Sequence, residues 1–168
     1  MIRTDRLALR PWTVDDAGFH RDLWLERDPR VPPHRRIDAD GRPTVDDLAG
    51  YIARASTEGP IRTLVVELRE SGERLGYCGL VESGTGPADE PEIAFEFLRR
   101  HWGNGFATEA AHAIVDLARA NGFSRLRASV WEWNTPSRRV LARLGFVESG
   151  PHRIDPERGL SLMTTLDL

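Results

Sequence analysis

Lysine is absent from this 168-residue sequence: all 23 basic side chains are arginines. No ammonium side chain is therefore available to meet an anion. The Gly-x-x-x-x-Gly-Lys-Ser/Thr phosphate loop is excluded outright, because it requires a lysine. There is one cysteine, Cys78, which excludes an internal disulfide and gives no sign of a thiolate metal site. It reads as a buried strand residue. The five histidines, His20, His34, His101, His112 and His152, show no metal-ligand spacing, and no metal is expected. No apolar run approaches the roughly 20 residues of a membrane span, and the N-terminus lacks a signal-peptide core. A cytoplasmic protein without membrane contact is the expectation. A formal net charge of −3 argues against a broad nucleic-acid-binding face.

The apolar fraction of 40% suits a folded core, and the length suits one domain spanning residues 1–168. Strands are expected at Leu7 to Arg10, Ile61 to Arg69, Arg74 to Glu82, Glu92 to Leu98, Leu126 to Trp133, Phe146 to Ser149 and Gly159 to Leu166. Helices are expected at Val14 to Arg27 behind a Thr13 cap, and at Thr44 to Ser56, where Thr44 and Asp47 have capping-box spacing. A third runs from Asn104 to Asn121, with Gly122 as its stop, and a fourth follows Asn134. Residues 28–43 form a proline-rich irregular connection.

The most informative stretch is Arg100-His101-Trp102-Gly103-Asn104-Gly105-Phe106-Ala107-Thr108-Glu109-Ala110, between the fourth strand and the third helix. Glycines keep side chains out of a tight turn, so successive N–H groups can converge on one anion. The start of the helix adds its unpaired N–H groups and the positive end of its dipole. Charge-assisted hydrogen bonds of this kind contribute about 1.5–3 kcal/mol each, enough for a few to hold a diphosphate without lysine. A dinucleotide fingerprint is not matched, because Thr108 occupies the place of its third glycine.

The spacing Arg-x-x-Gly-x-Gly resembles the acetyl-CoA pyrophosphate loop of the GNAT family of N-acetyltransferases. A second segment, Trp131 to Phe146, resembles the other half of that fold: a strand ending in Asn134, a short helix with Pro136 in its first turn, and a stop at Gly145-Phe146. A third, Thr4-Asp5-Arg6-Leu7-Ala8-Leu9-Arg10-Pro11-Trp12, resembles the opening of the ribosomal-protein N-terminal acetyltransferase subgroup. The three occur in family order. The resemblance implies an α/β fold of the α+β kind: a mixed, mostly antiparallel sheet splayed between its fourth and fifth strands and flanked by about four helices.

It also implies direct transfer of an acetyl group from acetyl-CoA to an amine. As cofactor-binding residues it assigns Phe97 and Leu98 at the strand end. Arg100, Trp102, Gly103, Asn104 and Gly105 follow in the loop, and Phe106, Ala107 and Thr108 at the helix start. Asn134, Ser137, Arg138 and Arg139 complete the set on the fourth helix. Glu92 and Glu96 are the candidate bases; their even spacing puts both on one strand face with Ala94, opposite Ile93, Phe95 and Phe97. Many relatives place a tyrosine seven residues after the asparagine to protonate the departing thiolate. Here that position is Leu141, and Ser137 is the candidate donor in its place. The acceptor is a primary amine: a protein N-terminus, or a small molecule such as an antibiotic or polyamine. A non-catalytic acyl-CoA sensor is the alternative that Leu141 keeps open. Trp24, Trp131 and Trp133 are candidates for an acceptor pocket, and Asp38, Asp40, Asp46 and Asp47 for attraction of a cationic acceptor. The assembly expected is a monomer or a homodimer.

Overall fold

The computed structural model describes residues 1–55, 58–84 and 86–168. In chain order the elements are β1 (Ile2–Arg3), β2 (Leu7–Arg10), α1 (Ala17–Leu25), α2 (Val45–Arg54), β3 (Thr63–Leu68), β4 (Arg74–Val81), β5 (Glu92–Phe97), α3 (Phe106–Ala120), β6 (Arg125–Trp131), α4 (Thr135–Arg143), β7 (Val147–Asp155) and β8 (Gly159–Asp167). The strands form one sheet in the order β1-β2-β3-β4-β5-β6-β8-β7. Neighbours are antiparallel except β5 and β6, which are parallel. The expected fourth and fifth strands are β5 and β6.

Alternation along the strands sorts side chains onto two faces. Leu64 and Val66 join Leu7, Leu9, Leu75, Cys78, Ile93 and Phe97 in the larger core, which α3 covers with Ala110, Ala111, Ile114, Val115 and Ala118. Val65 points the other way and packs with Phe19 and Leu23 of α1 and with Leu98. Cys78 is fully buried, as expected, and burial pushes its thiol pKa up.

Local signals explain the helix starts. Thr44 accepts from the Asp47 N–H at 3.1 Å while the Asp47 carboxylate accepts from the Thr44 N–H at 2.9 Å, closing the expected box. Ser56, the expected end of that helix, lies outside the described residues. Thr13 and Asp16 make the same reciprocal pair, but the first turn, Val14–Asp16, is a 3-10 turn before α1 begins. Asp16 is also gripped by Arg10 at 2.7 Å and by Arg74 at 3.1 Å. Burial opposes its charge, and the Arg10 and Thr13 hydrogen bonds overcome that and hold its pKa far below the usual carboxylate range.

Other element ends shift by up to three residues, β1 is an additional strand, and two differences from expectation have a clear local cause. The third helix starts at Phe106 rather than Asn104, because Gly105 is left-handed at φ +79 and cannot continue a right-handed helix. The strand expected at Phe146 to Ser149 runs on as β7 to Asp155, through Gly150 and Pro151. It tolerates them because it is an edge strand, with register shifts at Glu148/Gly150 and Pro151/Arg153.

Candidate active site

β5 and β6 are paired at one position, Glu92 opposite Arg127, next to a bond from the Arg127 N–H to the Pro91 carbonyl at 3.0 Å. Beyond it the strands diverge. β5 continues to pair with β4, and β6 with β8, so their facing edges carry backbone groups without a strand partner. Shielded groups of this kind need partners. The space between is a cavity of about 1260 Å³.

One end of that cavity is the glycine loop. A 3-10 turn at Arg99–His101 leads to Gly103 at φ +82 and Gly105 at φ +79, conformations that favour glycine. The first bond of α3 runs from the Glu109 N–H to the Gly105 carbonyl at 3.0 Å. The N–H groups of residues 106–108 therefore precede the helical ladder and have no intrahelical acceptor. Trp102 braces the turn by donating from Nε1 to the Phe97 carbonyl at 2.7 Å, while its ring is half exposed.

An N-terminal clamp fixes this loop. Arg6 donates to Glu109 Oε2 through Nε at 2.7 Å, to Glu109 Oε1 through its backbone N–H at 2.9 Å, and to the Asn104 carbonyl at 3.1 Å. Its guanidinium also lies 4.7 Å from the Phe106 ring centre. Thr4 adds a hydroxyl bond to Glu109. Burial works to raise the Glu109 pKa, and the Thr4 and Arg6 bonds more than offset it, so this carboxylate stays ionised and tied to Arg6. The one acidic group in the first turn of α3 is thereby neutralised where an anion would approach.

On the opposite wall Asn134 caps α4, its Oδ1 accepting from the Ser137 N–H at 3.3 Å. Ser137, Asn134 and Arg139 line the cavity, as do Phe97, Trp102, Gly103, Gly105, Phe106, Ala107 and Thr108. The other four expected cofactor residues lie off it. Leu98 is buried in the α1-side core, and Arg100 lies 3.6 Å from Glu73. Asn104 hydrogen-bonds its own loop carbonyls, and Arg138 holds Glu148 at 2.8 Å and the Glu132 carbonyl at 3.0 Å. Leu141 is buried, so the position that carries tyrosine in many relatives is apolar packing here.

The two candidate carboxylates have different surroundings. Glu92 accepts one hydroxyl on each oxygen, from Ser83 and from Ser129, both at 3.1 Å. Glu96 is held by both arms of Arg27, at 2.8 Å and 2.6 Å. Burial opposes the charge on Arg27, and the bond and field of Glu96 outweigh it and raise its pKa. Beside this pair, Tyr77 stands opposite Glu96 on β4. Burial, then the Glu96 charge, raise its phenol pKa, so it stays protonated. His20 accepts from Trp24 Nε1 at 3.2 Å; burial and the Arg27 charge push its pKa down to about 4, leaving it neutral at pH 7.

Trp131 and Trp133 stack at 6.2 Å and line the cavity, and Trp24 instead packs against Arg27 at 4.1 Å. Asp38, Asp40, Asp46 and Asp47 do not line it. Sequence reasoning missed Arg6, Glu109, Arg27, Tyr77, Ser83 and Ser129. The clamp and the buried pair join residues 103 and 69 positions apart, and no periodicity or local spacing links them.

Among the described residues no helix is long and apolar enough to cross a membrane. Residues 6–147 match the acetyltransferase (GNAT) domain. An uncharacterized N-acetyltransferase, p20 of Bacillus licheniformis, is 32% identical over 157 residues, covering 89% of this chain and 83% of its own. RimJ of Mycobacterium smegmatis, solved in complex with CoA-disulfide, superposes with a TM-score of 0.78 at 26% identity, over 96% of this chain and 81% of that one. A spermidine N-acetyltransferase of Vibrio cholerae shares the fold, with a TM-score of 0.76 at 18% identity, over 98% of this chain and 95% of that one.

Proposed function

The chain belongs to the GNAT acetyltransferase family, and from that premise we propose that it moves an acetyl group from acetyl-CoA directly to a primary amine held in the opening between β5 and β6. The observation that carries the reading is the juxtaposition of two unpaired sets of backbone groups. One is the row of N–H groups around Gly103, Gly105 and the start of α3; the other is the pair of diverging strand edges beside it. The first suits a diphosphate, and the second suits the amides of a pantetheine arm. Acetyl-CoA supplies the acyl group as a thioester. Arg139 adds a guanidinium to the phosphate end, and Asn134, with Oδ1 committed to its cap, keeps its amide N–H groups for the arm.

The amine must be neutral to attack. An α-amino group has a pKa of about 7.7–8.0 and a lysine side chain about 10.4. Deprotonation at pH 7 therefore costs roughly 1 kcal/mol for the first and roughly 4.6 kcal/mol for the second. Glu96 is a poor base, because taking a proton would dissolve its two bonds to a largely buried Arg27 and leave that charge unpaired. Glu92 is the better one. Its oxygens are oriented by two serine hydroxyls, and each keeps a lone pair for the departing proton, directly or through a water. As the C–N bond forms and the C–S bond breaks, Ser137 donates its hydroxyl hydrogen bond to the leaving sulfur. A thiol pKa of about 8.5 makes that a tolerable leaving group with modest help.

The acceptor is a protein N-terminus or a small amine. The likeness of residues 4–12 to the opening of the ribosomal-protein N-terminal acetyltransferase subgroup favours the first, and the spermidine enzyme is similar in fold alone. The test is CoA release from acetyl-CoA with N-terminal peptides, lysine peptides, polyamines and aminoglycosides. Release that requires one class of amine supports the reading and names the class. Tight acetyl-CoA binding with no release from the panel supports the acyl-CoA sensor instead.

A further inference from the structure

Seven arginines and four carboxylates line the cavity. The carboxylates are occupied. Asp28 holds Arg30 at 2.8 Å, and Glu96 holds Arg27 at 2.6 Å. Glu26 accepts from the Arg99 N–H at 2.6 Å, and Glu92 is taken by two serines. Five arginines are left without one of these carboxylates: Arg99, whose guanidinium binds the Glu26 carbonyl, Arg139 and Arg143 on α4, Arg35 in the connection between α1 and α2, and Arg153 on β7. The α4 pair stands on the wall assigned to CoA. Arg35 and Arg153 come from elements that contribute nothing to the phosphate loop.

Their placement is specific. The Arg35 carbonyl accepts from Arg27 at 3.0 Å, and Arg35 and Tyr77 both line the cavity. Among the described residues no carboxylate pairs with Arg35. Arg153 is in register with Ser161, and Ser161 with Trp131, so the three lie side by side across β7, β8 and β6. All three line the cavity. Asp155, the acid nearest Arg153 at 3.8 Å, is already held by Arg158 at 2.6 Å. Trp131 stacks on Trp133, and Arg30 covers the Trp133 ring at 4.1 Å. Trp131 and Trp133 thus form an aromatic wall of a cavity that is lined also by Arg35, which has no carboxylate partner among the described residues, and by Arg153, which shares Asp155 with Arg158.

We propose that the amine acceptor carries an anionic group, a carboxylate or a phosphate, and that Arg35 and Arg153 select it. This rests on the acetyltransferase reading and narrows its acceptor. Guanidinium forks match both anions. A polyamine would meet the same groups as like charges, with the lining carboxylates already hydrogen-bonded.

The experiment uses the full chain with saturating acetyl-CoA and matched amines. One pair is aspartyl-alanine amide against asparaginyl-alanine amide, the other is aminoethyl phosphate against ethanolamine, and spermidine is added as the cation. In at least one pair the anionic member is preferred by about tenfold or more in kcat/KM, and the pair that shows it tells carboxylate from phosphate. Arg35→Gln and Arg153→Gln each reduce that ratio by about fivefold to tenfold, and the double variant brings it near one. Equal kcat/KM within both pairs overturns the proposal. So does a preference that survives the double variant, or a matching rise in the KM for acetyl-CoA, which would assign the arginines to the cofactor. If no amine is acetylated, the transferase reading fails, and calorimetry of the same amines into CoA-loaded protein decides the inference. Saturating heat from an anionic member alone upholds it, and none overturns it.

Discussion

Replacing Gly103 by aspartate separates backbone strain from charge at the proposed diphosphate site. At φ +82 a side chain costs about 1–2 kcal/mol of strain, less for Asp and Asn, which tolerate this region best. A Cβ at 103 meets nothing within 4 Å, so no clash is added. The aspartate carboxylate would sit beside the phosphates. At a separation of about 5 Å and an effective dielectric of about 20, each unit of phosphate charge repels it by about 3 kcal/mol. Acetyl-CoA should bind Gly103→Asp about 100-fold more weakly or worse, since about 1.4 kcal/mol is tenfold. Gly103→Asn has the same shape and conformational cost without the charge, and should stay within about tenfold of the parent. Titration calorimetry reads both affinities, and thermal melts should show the two variants equally stable. Raising the salt should narrow the gap between them, because the interaction is solvent-facing. If Asp and Asn bind acetyl-CoA equally, no diphosphate sits at this loop and the cradle is assigned wrongly.

The Arg27–Glu96 pair is structural in this account. Arg27→Met or Glu96→Gln alone should destabilise by about 3–5 kcal/mol in urea unfolding, and the double variant should recover most of that; additive losses would contradict it. Ser137→Ala should lower kcat while leaving acetyl-CoA affinity near the parent value, and Glu92→Gln should flatten the acidic limb of the kcat/KM profile; an unchanged profile would move the base elsewhere. His20 has its pKa lowered to about 4 in the folded state, against about 6.5 unfolded. Between these values the unfolded chain binds the extra proton, so its contribution is complete above about pH 6.5 and is lost as pH falls towards 4. His20→Gln should remove up to about 3 kcal/mol of that acid-side slope, measured by unfolding at pH 7.5 and pH 4.5.

What could be read from the chain was what is written locally. Thr44 and Asp47 sit three apart and cap α2, Asn134 and Pro136 start α4, and Gly145 stops it at φ +90 before Phe146. The glycine loop was legible for the same reason, since left-handed turns leave glycines at fixed spacing. Even the two faces of β5 followed from alternation, with Ile93 and Phe97 in the larger core and Glu92 and Glu96 on the other face. The sheet opening came from family likeness, because nothing local in Glu92–Phe97 or Arg125–Trp131 says that these strands diverge. Charge pairing was out of reach. Arg27 and Glu96 look like two surface residues until the fold brings the segment just after α1 against β5, and that contact makes Glu96 the partner of a largely buried cation. The Arg6–Glu109 clamp is hidden in the same way, although its threonine and arginine lie in the opening segment that carried the family likeness.

The central claim is that the acetyl group passes from CoA to an amine nitrogen at this site. It is tested most directly with acetyl-CoA deuterated in the acetyl methyl group, reading acceptor and CoA together by mass spectrometry. The account predicts one CoA released for each trideuteroacetyl amide formed, with the label on the amine nitrogen, and far less amide from Gly103→Asp at an acetyl-CoA concentration that half-saturates the parent. Release of CoA without a labelled amide, or an amide formed equally well by Gly103→Asp, would contradict it.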